Sequence, residues 1–552
     1  MRARMGADTG GTMRETQDVL IIGGGHNGLV CAAYLAGAGL EVTVLERRGV
    51  VGGAAVTEEF HPGFRNSTAS YTVSLLNPAV IADLHLVRHG LRVVERPYAN
   101  FLPLPDGRAF RLGDGQTAAS LQATSPRDIE RLAGYSAMLD RVVPVLRELM
   151  QRTPPNLGDV MSLADWMASL HAARRLRHLD LRARRDLLDL FTKSAGELLD
   201  HWFESEPLKA ALGWDSVVGN FASPYTPGSA YVLLHHVFGE TNGKPGVWGH
   251  AIGGMGAITR AIAAECQARG VQVCSGQAVE RVLVEGGRAT GVALADGREL
   301  RARTIVSNLN PKLLYTRLVA REHLDEDTAQ RIVRYRCGSG TFRMNVALSE
   351  LPDFSAAPGT TLQPHHQSGI LVGPSLRYFE DAYFDARSRA HNPGWARAPI
   401  VELVISSTLD DTLAPPGRHV ASLFCQHVNP ELPGDDGGWD AHRDTVAKLM
   451  IDTVDAVAPN FARSVLGYRA LTPLDLEREF GLVGGDIFHG ALGLDQMFSA
   501  RPLLGQGNYR GAVPGLYLCG SGSHPGGGVT GLPGRNAARE ILRDLRRGPR
   551  PR

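Results

Sequence analysis

Three glycines, Gly23, Gly25 and Gly28, stand in G-x-G-x-x-G spacing between the apolar run Asp18–Ile22 and a helix-forming run from Asn27 to Ala38. The first permits a tight turn, the second lets backbone approach a pyrophosphate, and the third lets helix pack on strand. The helix, opened by Asn27, then presents unpaired N–H groups and the positive end of its dipole to phosphate oxygens. A second apolar run ends at Glu46, 21 residues after Gly25, where a carboxylate can accept both hydroxyls of a ribose. Gly52 and Gly53 follow. A second glycine pair there lets another turn close on the same pyrophosphate; an ordinary surface turn is the alternative. Strand, glycines, helix, strand and acid in register predict a dinucleotide site.

The chain that must position this site has 552 residues, 43% apolar and 21% charged. That is a globular mixture with length for more than one large core. Fifty-eight basic residues against 57 acidic ones leave a net charge of +1, which argues against a dedicated nucleic-acid binder. Only five of the basic residues are lysine, so Schiff-base chemistry has few candidates, and the arginine bias suits a GC-rich bacterial genome. Six cysteines lie scattered with no C-x-x-C pair, which argues against a zinc site or a thiol–disulfide centre and suits a reducing, cytoplasmic compartment. Met1–Gln17 lacks the apolar core of a secretion signal. The stretch between Asp18 and Glu41 carries no charge and is long enough to span a bilayer, but its glycines favour a turn. Soluble is the better reading.

Farther along, His250–Gly270 reads as a glycine loop entering an amphipathic helix, and Val271–Ser275 as a short strand. Three β segments begin at Val279, Thr290 and Glu299, with turns at Gly286-Gly287 and Asp296-Gly297. Near the C-terminus the strand Gly515–Gly520 leads through SGSHPGGGVTG into a helix. The other glycine runs, Gly253–Gly256 and Gly484-Gly485, are expected to lack a preceding strand and a following acid. Ser125-Pro126-Arg127-Asp128 reads as an N-cap with proline at the first helical position.

The array G-x-G-x-x-G, Glu46, Gly52-Gly53 resembles FAD-dependent oxidoreductases of the glutathione-reductase-like superfamily. The far motif, with Gly520, His524, Pro525, Gly526, Gly528 and Val529, resembles the second flavin motif of the phytoene-desaturase-like family. The resemblance runs from about residue 17 to 545. It implies an α/β fold: a Rossmann FAD-binding domain at 17–99, 246–310 and 471–546, interrupted by an α+β substrate domain at 100–245 and 311–470. Residues 1–16 and 547–552 would be tails. It also implies that Val279 contacts adenine through its backbone. In many relatives an arginine follows the second glycine pair; Ala54 and Ala55 stand there, so a pyrophosphate contact would fall to Arg47 or Arg48. Ser521 stands where many relatives carry an aspartate for the ribityl chain, a neutral and weaker contact.

The activity implied is hydride removal from a saturated carbon of an apolar, polyene- or lipid-like molecule, by desaturation or isomerisation. Electrons would pass to oxygen, a quinone or another acceptor. A flavin amine oxidase is the enzymatic alternative. A non-catalytic prenyl or lipid carrier similar to Rab GDP-dissociation inhibitors is the other, disfavoured because both glycine arrays are complete. Disulfide reduction is excluded, since neither a redox cysteine pair nor a second dinucleotide motif is present. Oligomeric state stays open, and no catalytic base is assigned. The weak candidates are His524, whose better reading is a loop histidine satisfying backbone groups, and His489 in the loop Gly484–Pro502, which reads at least equally as packing. Cys519 reads as a buried thiol rather than a flavin attachment point. Arg174, Arg175, Arg177, Arg182, Arg184 and Arg185 lie among leucines at helical spacing, reading as a solvated face, with weak peripheral membrane contact as the alternative.

Overall fold

The computed structural model describes residues 16–113, 115–158, 161–387, 394–432, 434 and 437–547. Residues 1–15 and 548–552, which hold most of the two expected tails, lie outside the described residues. The strand Thr16–Ile22 sits at the centre of a seven-stranded sheet, parallel to Val42–Glu46 on one side and to Glu299–Ser307 on the other. Gln272–Ser275 extends the parallel region beyond Val42–Glu46. Both faces of these strands are covered, so Val19, Leu20, Ile21 and Val44 are all buried, as a parallel sheet requires.

Glu299–Ser307 serves two neighbourhoods. Its first half closes an antiparallel meander with Arg288–Leu294 and Val279–Glu285, and its second half pairs parallel with Leu516–Leu518. The strand expected from Thr290 starts at Arg288.

The helix His26–Ala36 covers one face of the sheet. It packs between Gly256–Ala268 and the last helix, Leu532–Arg547, with Leu29, Val30, Ile262 and Ile541 in one buried cluster. Packing is tight at two glycines. A Cβ at Gly28 would lie 2.3 Å from the Gly23 carbonyl oxygen, and one at Gly534 would lie 2.2 Å from that of Asn27. The run Asp18–Glu41 is therefore strand, turn and helix, and no helix among the described residues is long and apolar enough to cross a membrane.

A second seven-stranded sheet, mostly antiparallel, runs in the order Val465–Leu471, Thr341–Leu348, His419–Val428, Trp395–Val404, Gly369–Val372, Asn100–Pro103, Ala109–Leu112. The expected helical insertion thus also contributes two strands to this sheet. Helices Glu206–Val217, Ser229–Val237 and Leu376–Arg387 cover one face, burying Trp214, Leu233 and Phe379 with Phe424. Gly438–Asp455 covers the other, burying Val446 and Met450 against Val401 and Leu423.

Two local expectations need correction. The long helix starts at Arg127, and Ser125 caps nothing with its side chain; its carbonyl accepts from the Asp128 N–H at 3.0 Å, because Pro126 carries the chain into the turn. A strand does precede Gly253–Gly256, namely Gly249–Ala251. It pairs antiparallel with Val93–Glu95, outside the parallel sheet, so it forms no second dinucleotide turn.

Gly28→Ala should destabilise the protein by about 1–3 kcal/mol, because the added methyl meets an immovable backbone carbonyl. Gly49→Ala is the control, since a Cβ there meets nothing within 4 Å. Thermal unfolding should show a lower Tm for the first and none for the second; equal Tm values would refute the packing argument.

Candidate functional site

The turn Gly23–Gly25 leaves its strand at the carboxyl edge of the parallel sheet, where ligands of such folds collect. The Gly23 N–H donates to the Leu45 carbonyl at 2.8 Å, tying the turn to the neighbouring strand. Glu46 ends that strand, buried, and its carboxylate accepts from the N–H groups of Gly24 (2.8 Å) and Arg48 (2.9 Å). The second glycine pair closes on the first turn: the Gly52 N–H donates to the Gly24 carbonyl at 2.8 Å, and a Cβ on Gly53 would lie 3.2 Å from the Gly25 Cα. Side chains in either place would push the two turns apart.

One cleft is lined by Gly23, Gly25, Glu46, Arg47, Gly53 and Ala54, by Val279, and by Ser521, Gly528 and Val529 of the C-terminal loop. These residues come from both ends of the chain. Four other expected residues support the cleft from behind. Gly28 packs helix on turn and Gly52 closes the two turns, while Asn27 donates from Nδ2 to the Ser521 hydroxyl at 3.2 Å. Gly520 packs against Asn308, whose carbonyl oxygen would lie 2.5 Å from an added Cβ. Arg47 lines the cleft while donating to the Arg478 carbonyl at 2.7 Å; Arg48 also lines it, paired with Glu58 and stacked on Phe480.

The two histidines part company. His489 lines the cleft, with its Nδ1 buried and unpartnered. Burial, then the nearby Arg501 and His26, depress its pKa to about 3, so it stands neutral and does not hold a proton near neutral pH. His524 is not in the cleft. Its Nε2 lies 3.2 Å from the Leu149 carbonyl and its ring packs on Phe498. A partner on the long helix, 375 residues away in sequence, pulls it behind the loop. Cys519 is likewise buried in the core with Cys31, away from the cleft.

Sequence reasoning missed several lining residues. Asn308 follows the strand Glu299–Ser307, its N–H donating to the Ile22 carbonyl at 2.9 Å, and its amide faces the glycine turn so closely that a Cβ on Gly25 would sit 2.6 Å from Nδ2. Its position at the carboxyl end of a parallel strand was the available signal. Tyr71, Leu75, Val218, His236, Trp248 and Phe424 form another part of the wall. The Tyr71 hydroxyl donates to the Glu402 carboxylate, and the buried Arg343 guanidinium lies over the Tyr71 ring at 4.7 Å. His236 stacks on Trp248 at 6.2 Å and is kept neutral by burial, with a pKa of about 4.

A single guanidinium organises the loop that carries His489. Arg501 is fully buried and donates to the carbonyls of Phe488 (2.6 Å), Gly490 (3.3 Å), Ala491 (3.4 Å), Gln496 (3.0 Å) and Ser521 (2.9 and 3.1 Å).

The chain is similar to known proteins. The family described as flavin containing amine oxidoreductase matches residues 28–347. The chain is also 41% identical to the Rattus norvegicus protein named pyridine nucleotide-disulfide oxidoreductase domain-containing protein 2, over 99% of this chain and 96% of that one. The chain belongs to the flavin-containing amine oxidoreductase family. Within reach of this family it is 26% identical to a lycopene-forming phytoene desaturase of Pantoea ananas, over 95% and 99% of the two chains. A solved putrescine oxidase bound to putrescine has the same fold, with a TM-score of 0.59 at 14% identity over 97% and 99% of the chains. The protein is thus an FAD-dependent oxidoreductase of the amine oxidase and phytoene desaturase superfamily. The cleft fits FAD: two glycine turns leave no Cβ over the phosphates, a buried carboxylate stands at the second strand's end, and Asn27 Oδ1 is buried without a partner.

Burial depresses His26, His236 and His524 to about 4 and His489 to about 3. Unfolded, each takes up a proton near pH 6.5. The unfolded chain therefore binds more protons between pH 6.5 and about 4, and stability must fall as pH drops through that window. The slope is about 1.4 kcal/mol per pH unit for each histidine. Asp215, raised to about 8 by burial and then by Glu402, and Asp486, raised by burial, oppose this, while His235, His365 and His427, depressed to about 3 by burial, add to it. Tm should decline from about pH 7 to about pH 5; a constant Tm would mean that these histidines are solvated.

Proposed function

We propose that this enzyme removes hydride from a saturated carbon of an apolar, uncharged substrate, creating or moving a carbon–carbon double bond. One observation carries the reading. The wall formed by Tyr71, Leu75, Val218, His236, Trp248 and Phe424 presents no charged side chain to the cleft. Its histidine is neutral, and Glu402 behind it is occupied by Tyr71. An ammonium ion would find no counter-charge there, whereas an apolar chain loses its hydration and gains contact with aromatic rings. The phytoene desaturase likeness supports the same choice over an amine substrate.

Bound FAD would supply the acceptor for the hydride. The glycine turns would hold its pyrophosphate, with Gly23, Gly25, Gly28, Gly52 and Gly53 permitting the approach and Asn27 at the helix start. Glu46 would accept from its ribose, the Val279 backbone would meet adenine, and Ser521 would bond the ribityl chain. Gly528 and Val529 would bring backbone against the ring, with Gly520 packing the loop on Asn308 behind them. Arg47, which lines the cleft, would be the available cation for the phosphates in place of the arginine that many relatives carry where Ala54 stands. Tyr71, Trp248 and Phe424 would orient the substrate and exclude water, so that the reacting carbon is presented in a dry cavity.

Glu46→Ala removes a charge-assisted hydrogen bond, about 1.5–3 kcal/mol, so FAD should loosen roughly tenfold or more. Unchanged retention by a folded variant would mean that Glu46 does not meet the ribose. The substrate reading is tested by mixing the FAD-loaded protein anaerobically with phytoene, with putrescine, and with NADH or NADPH, while following the visible flavin band. Bleaching by phytoene alone is the expected outcome. Bleaching by putrescine would favour an amine oxidase, bleaching by NADPH would reveal a nicotinamide site, and a colourless protein that refuses FAD would favour a carrier.

A further inference from the structure

The helix Leu163–Arg177 buries none of its residues. Leu163, Trp166, Met167 and Leu170 are 79, 62, 63 and 50% exposed. At 100° per residue, positions 163, 166, 167 and 170 fall within one narrow stripe, and Arg174 and Arg177 continue that stripe through the last turn. A polar face belongs on the outside of such a helix. Here the outward stripe is apolar for two turns and then cationic.

The next helix, Leu181–Thr192, repeats the pattern. Leu181 and Leu188 are each 61% exposed, and Arg185 lies between them at helical spacing. The nearby acids are already engaged: Glu148 by His171 and Arg175, Asp186 by Arg141, Asp189 by Lys193. Arg174, Arg177, Arg182 and Arg185 have no acidic partner among the described residues. A cavity of about 1050 Å³ borders the same stripe: Leu163 and Met167 stand in its lining, with Arg152, Arg539, Arg543 and Arg547 beside Asp165 and Glu540. Apolar side chains in contact with water and surplus positive charge thus share one surface, on a molecule whose net charge is only +1.

We propose that the helices Leu163–Arg177 and Leu181–Thr192 form a docking face for a bilayer of anionic phospholipid. Leu163, Trp166, Met167 and Leu170 would enter the boundary between headgroups and acyl chains, removing exposed apolar surface from water. Arg174, Arg177, Arg182 and Arg185 would meet the phosphates, each strengthening binding about fivefold, and added salt would weaken this part. Trp166 suits the layer because its ring is apolar with one polar edge.

The test uses the FAD-loaded full chain with sedimented vesicles of phosphatidylglycerol and phosphatidylcholine, and with phosphatidylcholine alone. Sedimentation with the anionic vesicles, a blue shift of tryptophan emission that Trp166→Phe removes, and release by salt are expected. Replacing Leu163, Trp166 and Met167 with glutamine should abolish binding without lowering Tm or FAD content, because none of the three is buried. Arg174→Gln with Arg177→Gln should weaken it roughly 25-fold. The proposal is overturned if the wild type stays in the supernatant, or if the glutamine triple variant binds as well. A solution dimer that dissociates on Trp166→Gln would also overturn it, by assigning the face to a second copy.

Discussion

The molecule depends on the contact between two backbone turns at the carboxyl edge of its parallel sheet. Gly52 donates to Gly24, Gly53 touches Gly25, and Gly28 presses against the Gly23 carbonyl. None of these distances leaves space for a side chain. The contact fixes where the strand Val42–Glu46 ends, and so where the Glu46 carboxylate stands. It also holds the start of the helix His26–Ala36 open, since that terminus has no side-chain cap. Orphan N–H groups at such a terminus favour an anion. Everything farther along the cleft is built outward from this point.

Much of this was legible in the sequence because its cause is local. G-x-G-x-x-G after an apolar strand describes a turn that few other residues can make, and Glu46 follows from the length of one strand–helix–strand unit. What was not legible is what tertiary partners decide. His524 belongs to a motif that suggests a flavin contact, yet the Leu149 carbonyl on a distant helix holds it behind the loop. Asn308 looked like the end of a meander strand; only the register of Glu299–Ser307 against Thr16–Ile22 brings it to the glycines. The arginine stretch showed its charge but not which way its leucines face. That depends on what packs around the helix Leu163–Arg177, and very little does.

The second sheet explains how one cofactor-binding frame can host different reactions. Its strands are held by their own cores, with Trp214 and Phe379 on one side and Val446 and Met450 on the other. Side chains such as Phe424 reach from that sheet into the cleft without contributing to the glycine turns. Substitutions there can change the shape and polarity of the cavity while leaving the dinucleotide frame intact. The family likeness is accordingly strong for the cofactor and weak for the substrate.

Arg501 bears on how a ligand could reach this cavity. Its guanidinium holds five carbonyl groups from Phe488 to Ser521, and no carboxylate among the described residues is hydrogen-bonded to it. Moving the His489 wall would strand several buried donors and acceptors at once, each costing about 1–3 kcal/mol. That wall is a fixed jamb. Among the other lining residues, Tyr71 is tied to Glu402 as well, whereas Leu75 and Val218 are held by side-chain packing, which can yield by rotation rather than by rupture.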